Sequence, residues 1–147
     1  MPQFGPADPQ GEYRRRPAVF GLAFRDGRLA CVRVDRGGDG YLDLPGGAVD
    51  GGESEAQALI REFAEETGLR VSPAIRLGEA AQRFRKTDGS PVNNAGGFWT
   101  VEILGHDPSA KCEDDHDLVW RDPVEALSTL RHEAHAWAVA LWLRAQV

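Results

Sequence analysis

The chain has 147 residues, of which 41% are hydrophobic and 27% are charged, and its formal net charge at pH 7 is -6. This length and composition are typical of one globular domain with a hydrophobic core. The negative charge argues against a broad basic face for long nucleic acids, so the expected partners are small molecules, including anions held by a metal or by a few arginines. Monomer and homodimer both stay open.

The first residues of the chain are polar and rich in proline and glycine, without the basic start and apolar centre of a signal peptide. We therefore expect residues 1–13 to form a flexible tail and residues 14–147 to form a single domain. Cys31 and Cys112 are not arranged as CxxC, and no apolar stretch is long enough to cross a membrane. A cytoplasmic protein without membrane contact is expected.

The first structured part of the chain reads as strands. The apolar segment 18–24 and the segment 28–34 flank Asp26-Gly27, which is typical of a hairpin turn. A turn-rich segment, residues 35–40, then leads to a short strand over residues 41–44.

A helix is predicted next, over residues 55–67. Ser54 and Gln57 have the spacing of a capping box, and Gly68 is suited to a left-handed C-cap. The later pattern predicts strands over 74–85, 97–104 and 118–121, a turn-forming segment over 87–96, and a final helix over 132–144. Interleaved helices and antiparallel strand pairs predict an α/β fold with a mixed sheet and helices on both faces.

The predicted helix carries glutamates at its C-terminal end. At about 100° per residue, Glu62, Glu65 and Glu66 share a sector roughly 100° wide, beside an apolar stripe that includes Leu59 and Phe63. Anions are unfavourable there, because the helix dipole leaves about half a negative charge at that end and like charges four residues apart repel.

Two interpretations of this acidic sector remain. A solvated glutamate-rich face is common on helices, and the Glu65-Glu66 pair by itself favours it. A divalent cation would instead turn the repulsion into attraction, because Mg²⁺ and Mn²⁺ prefer hard oxygen ligands. The glycine-rich segment 46–53 before the helix favours the second interpretation, since glycine lets the backbone approach a ligand closely.

A family resemblance strengthens the metal interpretation. The segment from Gly47 to Leu69, GAVDGGESEAQALIREFAEETGL, matches the Nudix box at every fixed position, and the preceding LPG is also similar to the family. The chain therefore resembles a Nudix hydrolase. This resemblance implies a Nudix-type α/β/α sandwich, with a mixed β-sheet between helices.

The resemblance also implies an activity and a set of site residues. The implied reaction is hydrolysis of a nucleoside diphosphate linked to another group, with Mg²⁺ or Mn²⁺ as cofactor. Carried over by position, the metal ligands are the Gly47 carbonyl, Glu62, Glu65 and Glu66. Glu53 and Arg61 support them, with Arg61 orienting the carboxylates.

The general base is open between several carboxylates. Glu62 and Glu65 are candidates in the helix, and several family members use an acid from a later loop. The acidic segment 113–116 is the obvious place in this chain, and within it we favour Glu113, although a solvated acidic loop is an equal alternative. His132 and His135 lack the HExxH spacing of a zinc protease and are expected to form a surface pair.

The substrate is less well defined by the sequence. The motifs expected for ADP-ribose, diadenosine polyphosphate and NADH subfamilies are absent from the region after the box, which leaves nucleoside triphosphates as the largest class. We therefore expect conversion of a nucleoside or deoxynucleoside triphosphate to the monophosphate and pyrophosphate. The alternative is a Nudix-fold module that binds or senses a nucleotide without cleaving it.

Overall fold

The computed structural model describes residues 1–36 and 40–147. Residues 37–39, which belong to the predicted turn-rich segment 35–40, lie outside the described residues. The strands are β1 Gln3–Phe4, β2 Arg14–Leu22, β3 Phe24–Arg25, β4 Arg28–Val34, β5 Tyr41–Asp43, β6 Gly46–Ala48, β7 Leu69–Arg85, β8 Pro91–His106 and β9 His116–Arg121, and the helices are α1 Glu55–Thr67, α2 Pro123–Thr129 and α3 Glu133–Ala145.

These strands form two sheets. The first has five strands in the order β1-β7-β8-β2-β6 and is mixed, because β1 pairs with β7 and β2 with β8 in parallel, whereas its other pairs are antiparallel. The second has four strands, with β3 and β5 on β4 and β9 along the other edge of β4. The predicted mixed sheet is confirmed. The predicted hairpin at Asp26-Gly27 is present only as β3–β4, because most of the segment 18–24 belongs to β2 in the first sheet, and the division into two sheets was not predicted.

Strand β2 separates two hydrophobic cores. Its residues alternate between faces, so Phe20 packs in a cluster that includes Ala138 of α3, while Val19 packs in a cluster that includes Leu59 and Phe63 of α1. Helices therefore cover both faces of the mixed sheet, as the sequence predicts. The α/β class is confirmed.

Helix α1 has the predicted limits and caps. The side chain of Ser54 accepts a hydrogen bond from the Gln57 backbone N–H at 3.1 Å, and the Gln57 side chain accepts one from the Ser54 N–H at 2.9 Å. Gly68 has φ of 75°, the left-handed conformation that closes the helix. The helix that carries the acidic sector is thus held at both ends by local interactions.

The N-terminal segment forms one short strand. The flexibility of residues 1–13 stays a prediction, but within them Gln3 and Phe4 pair in parallel with β7. The side chains of Gln3 and Asn93 exchange hydrogen bonds of 2.9 and 3.1 Å. These contacts tie the start of the chain to the sheet edge.

The segment between the two long strands was predicted wrongly in part. Pro91–His106 is one strand, so it begins six residues before the predicted start at residue 97. Asn93 and Asn94 are typical of turns, yet both are buried, and Asn94 Oδ1 accepts a hydrogen bond from Arg16 Nε at 2.8 Å. A side-chain partner from β2 therefore allows asparagine to lie in a strand.

The predicted surface pair of histidines is also wrong. His132 and His135 are 5% and 2% exposed, because α3 packs them against Phe20 and Phe84. The neutral ring of His135 accepts a hydrogen bond at Nδ1 from the Leu44 N–H, at 3.1 Å. Burial lowers the pKa of His132 to about 3 and lowers that of His135 well below its usual value.

Buried neutral histidines should make the protein sensitive to mild acid. Their folded pKa values lie below the unfolded value of about 6.5, so the unfolded chain binds more protons and stability falls as pH drops below 6.5. Replacing His132 with glutamine removes one of the two groups that take up a proton when the chain unfolds in mild acid. The free energy of unfolding, measured by urea titration at pH 5 and 6, should then depend on pH less steeply, by about 1.4 kcal/mol per pH unit. Equal slopes for wild type and variant would contradict the assignment.

Candidate active site

The acidic end of α1 lies against the glycine segment before it. Gly46 has φ of 145°, and its N–H donates to Glu66 Oε1 at 2.9 Å. A Cβ at Gly46 would collide with the Val19 carbonyl, and a Cβ at Gly47 would lie 2.9 Å from the Glu62 carboxyl carbon. Glycine is therefore required at position 46, where this backbone crosses β2, and glycine at position 47 leaves room for the Glu62 carboxylate.

Arg61 makes most of the hydrogen bonds that support the acidic residues of the site. Its Nε and Nη2 donate to the two carboxylate oxygens of Glu53 at 2.7 and 2.9 Å, and Nη2 also reaches the Ala48 carbonyl at 3.1 Å. Its Nη1 donates to Glu62 at 3.0 Å and to Glu65 at 3.3 Å. One guanidinium thus joins the glycine segment to two of the acids, which is the orienting position expected for Arg61.

Glu66 has a second set of partners that the sequence did not reveal. Its Oε2 lies 3.2 Å from His116 Nε2, and His116 Nδ1 lies 2.8 Å from Asp115 Oδ1. Arg36 Nε donates to the other oxygen of Asp115 at 2.6 Å. Glu66, His116, Asp115 and Arg36 form one chain of contacts, which we call the Glu66 relay.

The Glu66 relay retains a proton near neutral pH. Burial raises the pKa of Glu66. Burial opposes the charged ring of His116, but the hydrogen bonds and charges of Glu66 and Asp115 outweigh it and raise the pKa of His116 to about 9. Both shifts favour a proton between the two side chains. It resides on His116, because the second carboxylate, Asp115, stabilises the imidazolium.

Glu62 has a strongly perturbed acidity. Burial, followed by the negative charge of Glu66, raises the pKa of Glu62 to about 7, even though Arg61 donates a hydrogen bond to it. Its side chain is 14% exposed. The folded protein therefore holds two poorly solvated carboxylates close together, an arrangement typical of functional sites.

A cleft of about 320 Å³ opens beside these acids. Of the predicted site residues, Gly47, Glu62, Glu66 and Glu113 line it, whereas Arg61, Glu53 and Glu65 are not in its lining, and Arg61 pairs with both of these glutamates. The backbone N–H of Glu113 donates to the Glu65 carbonyl at 3.1 Å. The loop before β9 therefore brings Glu113 next to the helix, and its role as a general base stays a prediction.

The donor atoms fit a hard divalent cation. The metal ligands inferred from the box are three carboxylates and a carbonyl, and oxygen ligands suit Mg²⁺ and Mn²⁺. In the described part of the chain, Glu65, Cys112 and Glu113 bring ligand atoms within 4.8 Å of one another, as do Glu113, Asp115 and His116. Among the described residues Glu62, Glu65 and Glu66 do not form such a group, and some of their oxygens contact Arg61 and His116 instead.

The lining of the same cleft also contains aromatic residues and an ion pair. Arg131 Nη2 donates to Asp43 Oδ2 at 2.7 Å, and its guanidinium carbon lies 3.5 Å from the centre of the Tyr41 ring and 5.4 Å from that of Phe84. Sequence reasoning assigned no substrate-binding residue here. The aromatic residues are separated by 43 positions in the chain, so no local motif links them.

Removing Arg61 should disturb the acids more than the fold. In Arg61→Ala, Mn²⁺ affinity and turnover should fall together, each by roughly 10- to 100-fold, because the carboxylates lose the group that orients them. Mn²⁺ titration and steady-state kinetics measure the two effects. Arg76→Ala is a matched control, since Arg76 makes a similar bidentate pair with Glu55 at the other end of α1. A raised KM with full metal affinity would instead make Arg61 a substrate contact.

Comparison with known proteins identifies the family. The NUDIX domain family matches residues 14–143, so the chain belongs to the Nudix hydrolase family. A putative mutator protein MutT4 from Mycobacterium tuberculosis is 36% identical over 98 residues, which cover 65% of this chain and 39% of that protein. A CTP pyrophosphohydrolase from Escherichia coli is 26% identical over 111 residues, covering 74% of this chain and 77% of that protein.

A second relative from Mycobacterium tuberculosis is a putative 8-oxo-dGTP diphosphatase 2, which is 37% identical over 86 residues. These residues cover 58% of this chain and 57% of that protein. The chain thus spans 39% and 57% of the two mycobacterial relatives.

Solved structures show the same fold. A NUDIX hydrolase from Nitrosomonas europaea superposes with a TM-score of 0.74 at 21% identity, covering 90% of each chain. The E. coli ORF135 protein superposes with a TM-score of 0.70 at 25% identity, covering 95% of this chain and 96% of that one. The predicted Nudix sandwich is confirmed. Within the described residues, every helix is too short or too polar to pass through a bilayer.

Proposed function

We propose that this protein hydrolyses the diphosphate bond of a nucleotide with the help of Mg²⁺ or Mn²⁺. The substrate we propose is a nucleoside or deoxynucleoside triphosphate, cleaved to the monophosphate and pyrophosphate. The observation that carries the proposal is the composition of one cleft, whose lining contains the box acids Glu62 and Glu66 together with the cationic residues Arg16, Arg36 and Lys86. Such a cleft has ligands for a cation and positive charges for phosphates.

The cation would be held by residues of the Nudix box. We assign the Gly47 carbonyl and the carboxylates of Glu62, Glu65 and Glu66 to it. When bound, a divalent cation supplies neutralisation of charge on the phosphate oxygens and a lower pKa for a coordinated water. The raised pKa of Glu62 supports this role, because a cation relieves the repulsion between Glu62 and Glu66 that burial makes costly.

Proton transfer, positioning of the carboxylates and stabilisation of the leaving phosphate are assigned to side chains of the protein. We assign the proton transfer from the attacking water to Glu62 or Glu113, and the position of both carboxylates in the lining of the cleft supports this assignment. Arg61 and Glu53 keep the carboxylates in position. The cationic side chains of the cleft offset the negative charge that develops on the leaving phosphate.

The aromatic residues in the lining of the cleft are suited to binding the nucleoside of the substrate. A base can stack on Tyr41 or Phe84, and Asn94 offers an amide that can donate to or accept from base edges. The relatives whose names specify a nucleoside triphosphate, the CTP pyrophosphohydrolase and the putative 8-oxo-dGTP diphosphatase 2, support this class of substrate. The same names support a small nucleotide as the partner.

Hydrolysis in ¹⁸O-labelled water tests the reaction. Neither cysteine lies in a motif with a histidine, and no serine lies in a GxSxG turn, so the sequence offers no recognisable nucleophile for a covalent intermediate. We expect direct attack by water, one solvent label in one product, and no phosphoryl-enzyme during turnover. Orthophosphate and a nucleoside diphosphate as the main products would contradict cleavage between the α and β phosphorus atoms.

A further inference from the structure

A second cavity adjoins the candidate active site. It has a volume of about 580 Å³ and lies where the start of β2 meets the turn between β7 and β8. Its lining includes Arg14, Arg15, Arg16 and Lys86, and Arg16 and Lys86 also line the cleft that contains the box acids. The two cavities are therefore neighbours, and Arg16 and Lys86 lie at their common border. We call this second cavity the arginine groove.

The arginine groove has an unusual charge for this protein. The chain as a whole carries a net charge of -6, yet four cationic side chains line this cavity. The one acidic residue in the lining, Glu12, is paired with Arg85 at 3.4 Å, so its charge is offset from outside the cavity. A local positive surface on an acidic protein attracts small anions specifically to that place.

Two features of these arginines suit binding rather than folding. Arg14 and Arg15 are exposed, so the core of the protein does not depend on their burial. Arg16 is half-buried, and its Nε donates to Asn94 at 2.8 Å, which fixes the guanidinium at the boundary between the two cavities. Arginine is the side chain best suited to phosphate, because its planar fork can donate two parallel hydrogen bonds.

We propose that the arginine groove binds the substrate phosphate that lies beyond the β-phosphate, on the leaving-group side of the cleaved diphosphate bond. This inference rests on the proposed function, and it specifies the substrate as a nucleotide with three or more phosphates. In a nucleoside triphosphate cleaved between the α and β phosphorus atoms, the γ-phosphate belongs to the leaving pyrophosphate. That phosphate would occupy the groove, whereas a nucleoside diphosphate has no group to place there.

Two experiments test the groove, the first of them without catalysis. The first measures binding of inorganic tripolyphosphate by calorimetry in EDTA, for wild type and for the double variant Arg14→Gln/Arg15→Gln. We expect the variant to bind roughly tenfold more weakly, and its affinity should depend less on salt concentration. The matched control is Arg28→Gln/Arg144→Gln, which changes the net charge equally at exposed positions outside both cavities. It should bind tripolyphosphate as wild type does.

The second experiment measures kcat/KM for a nucleoside triphosphate and for the matching diphosphate. Wild type should prefer the triphosphate, and Arg14→Gln/Arg15→Gln should reduce that preference by roughly tenfold through KM, with the diphosphate unaffected. Equal tripolyphosphate affinity in wild type and the Arg14/Arg15 variant would overturn the inference, as would an unchanged preference between the two nucleotides. If no nucleotide is hydrolysed, the proposed function fails, and the tripolyphosphate measurement alone decides the inference.

Discussion

Replacing Glu66 with glutamine should weaken Mn²⁺ binding by at least about tenfold and reduce turnover by about 100-fold or more. The amide keeps an oxygen that can accept the hydrogen bond from the Gly46 N–H, so the fold should survive. What it removes is one of the negative charges that the proposed cation requires. Titration of Mn²⁺ followed by electron paramagnetic resonance measures the affinity directly.

Thermal unfolding measures the loss of Mn²⁺ binding in Glu66→Gln independently. A ligand that binds only the folded state stabilises it, by about 2.7 kcal/mol at a concentration one hundred times its dissociation constant. Saturating Mn²⁺ should therefore raise the melting temperature of wild type much more than that of Glu66→Gln. Glu102→Gln is the matched control, because Glu102 is exposed on β8 away from the cleft. Equal Mn²⁺ affinity in wild type and Glu66→Gln would remove Glu66 from the metal site.

Replacing His116 with alanine should lower the stability of the metal-free protein by about 3 kcal/mol, since a buried carboxylate then loses its charged partner. For a chain of this length the melting temperature should fall by roughly 6–12 °C. Mn²⁺ should recover much of that loss, because a cation near Glu66 replaces the positive charge of the imidazolium. Melting curves with EDTA and with Mn²⁺ measure both effects.

The conservative variant His116→Gln separates charge from packing. Its side-chain amide can donate a hydrogen bond to Glu66 but carries no charge, so its metal-free stability should lie between those of wild type and His116→Ala. If Mn²⁺ stabilised all three proteins equally, His116 would be a packing residue without a link to the metal site. The Glu66 relay would then have no connection with function.

The parts of the site that sequence reasoning located depend on local rules. The limits of α1 follow from Ser54, Gln57 and Gly68, whose capping interactions involve residues within four positions of one another. The acidic sector follows from helical periodicity, which fixes the relative directions of Glu62, Glu65 and Glu66 once the helix is assigned. Glycine at positions 46 and 47 indicated that the backbone lies close to neighbouring atoms, because glycine has no side chain to keep them apart.

The parts that were missed depend on contacts between distant segments. His116 is 50 positions from Glu66, and only the packing of β9 beside α1 brings them together. His132 and His135 looked like surface residues because their burial is produced by Phe20 and Phe84 from other strands. Helix α2 did have a local signal, since Asp122 caps it and Pro123 begins it, but no helix was predicted between the strand over 118–121 and the final helix.

The most direct test of the proposed function is metal-dependent turnover on a panel of nucleoside triphosphates, diphosphates and nucleotide-linked sugars, with products separated by chromatography. We predict hydrolysis that requires Mg²⁺ or Mn²⁺, stops in EDTA, and converts a nucleoside or deoxynucleoside triphosphate to its monophosphate and pyrophosphate. Glu66→Gln should be inactive in the same assay. Absence of turnover on every nucleotide with both metals would contradict the account and favour a Nudix-fold module that binds a nucleotide without cleaving it.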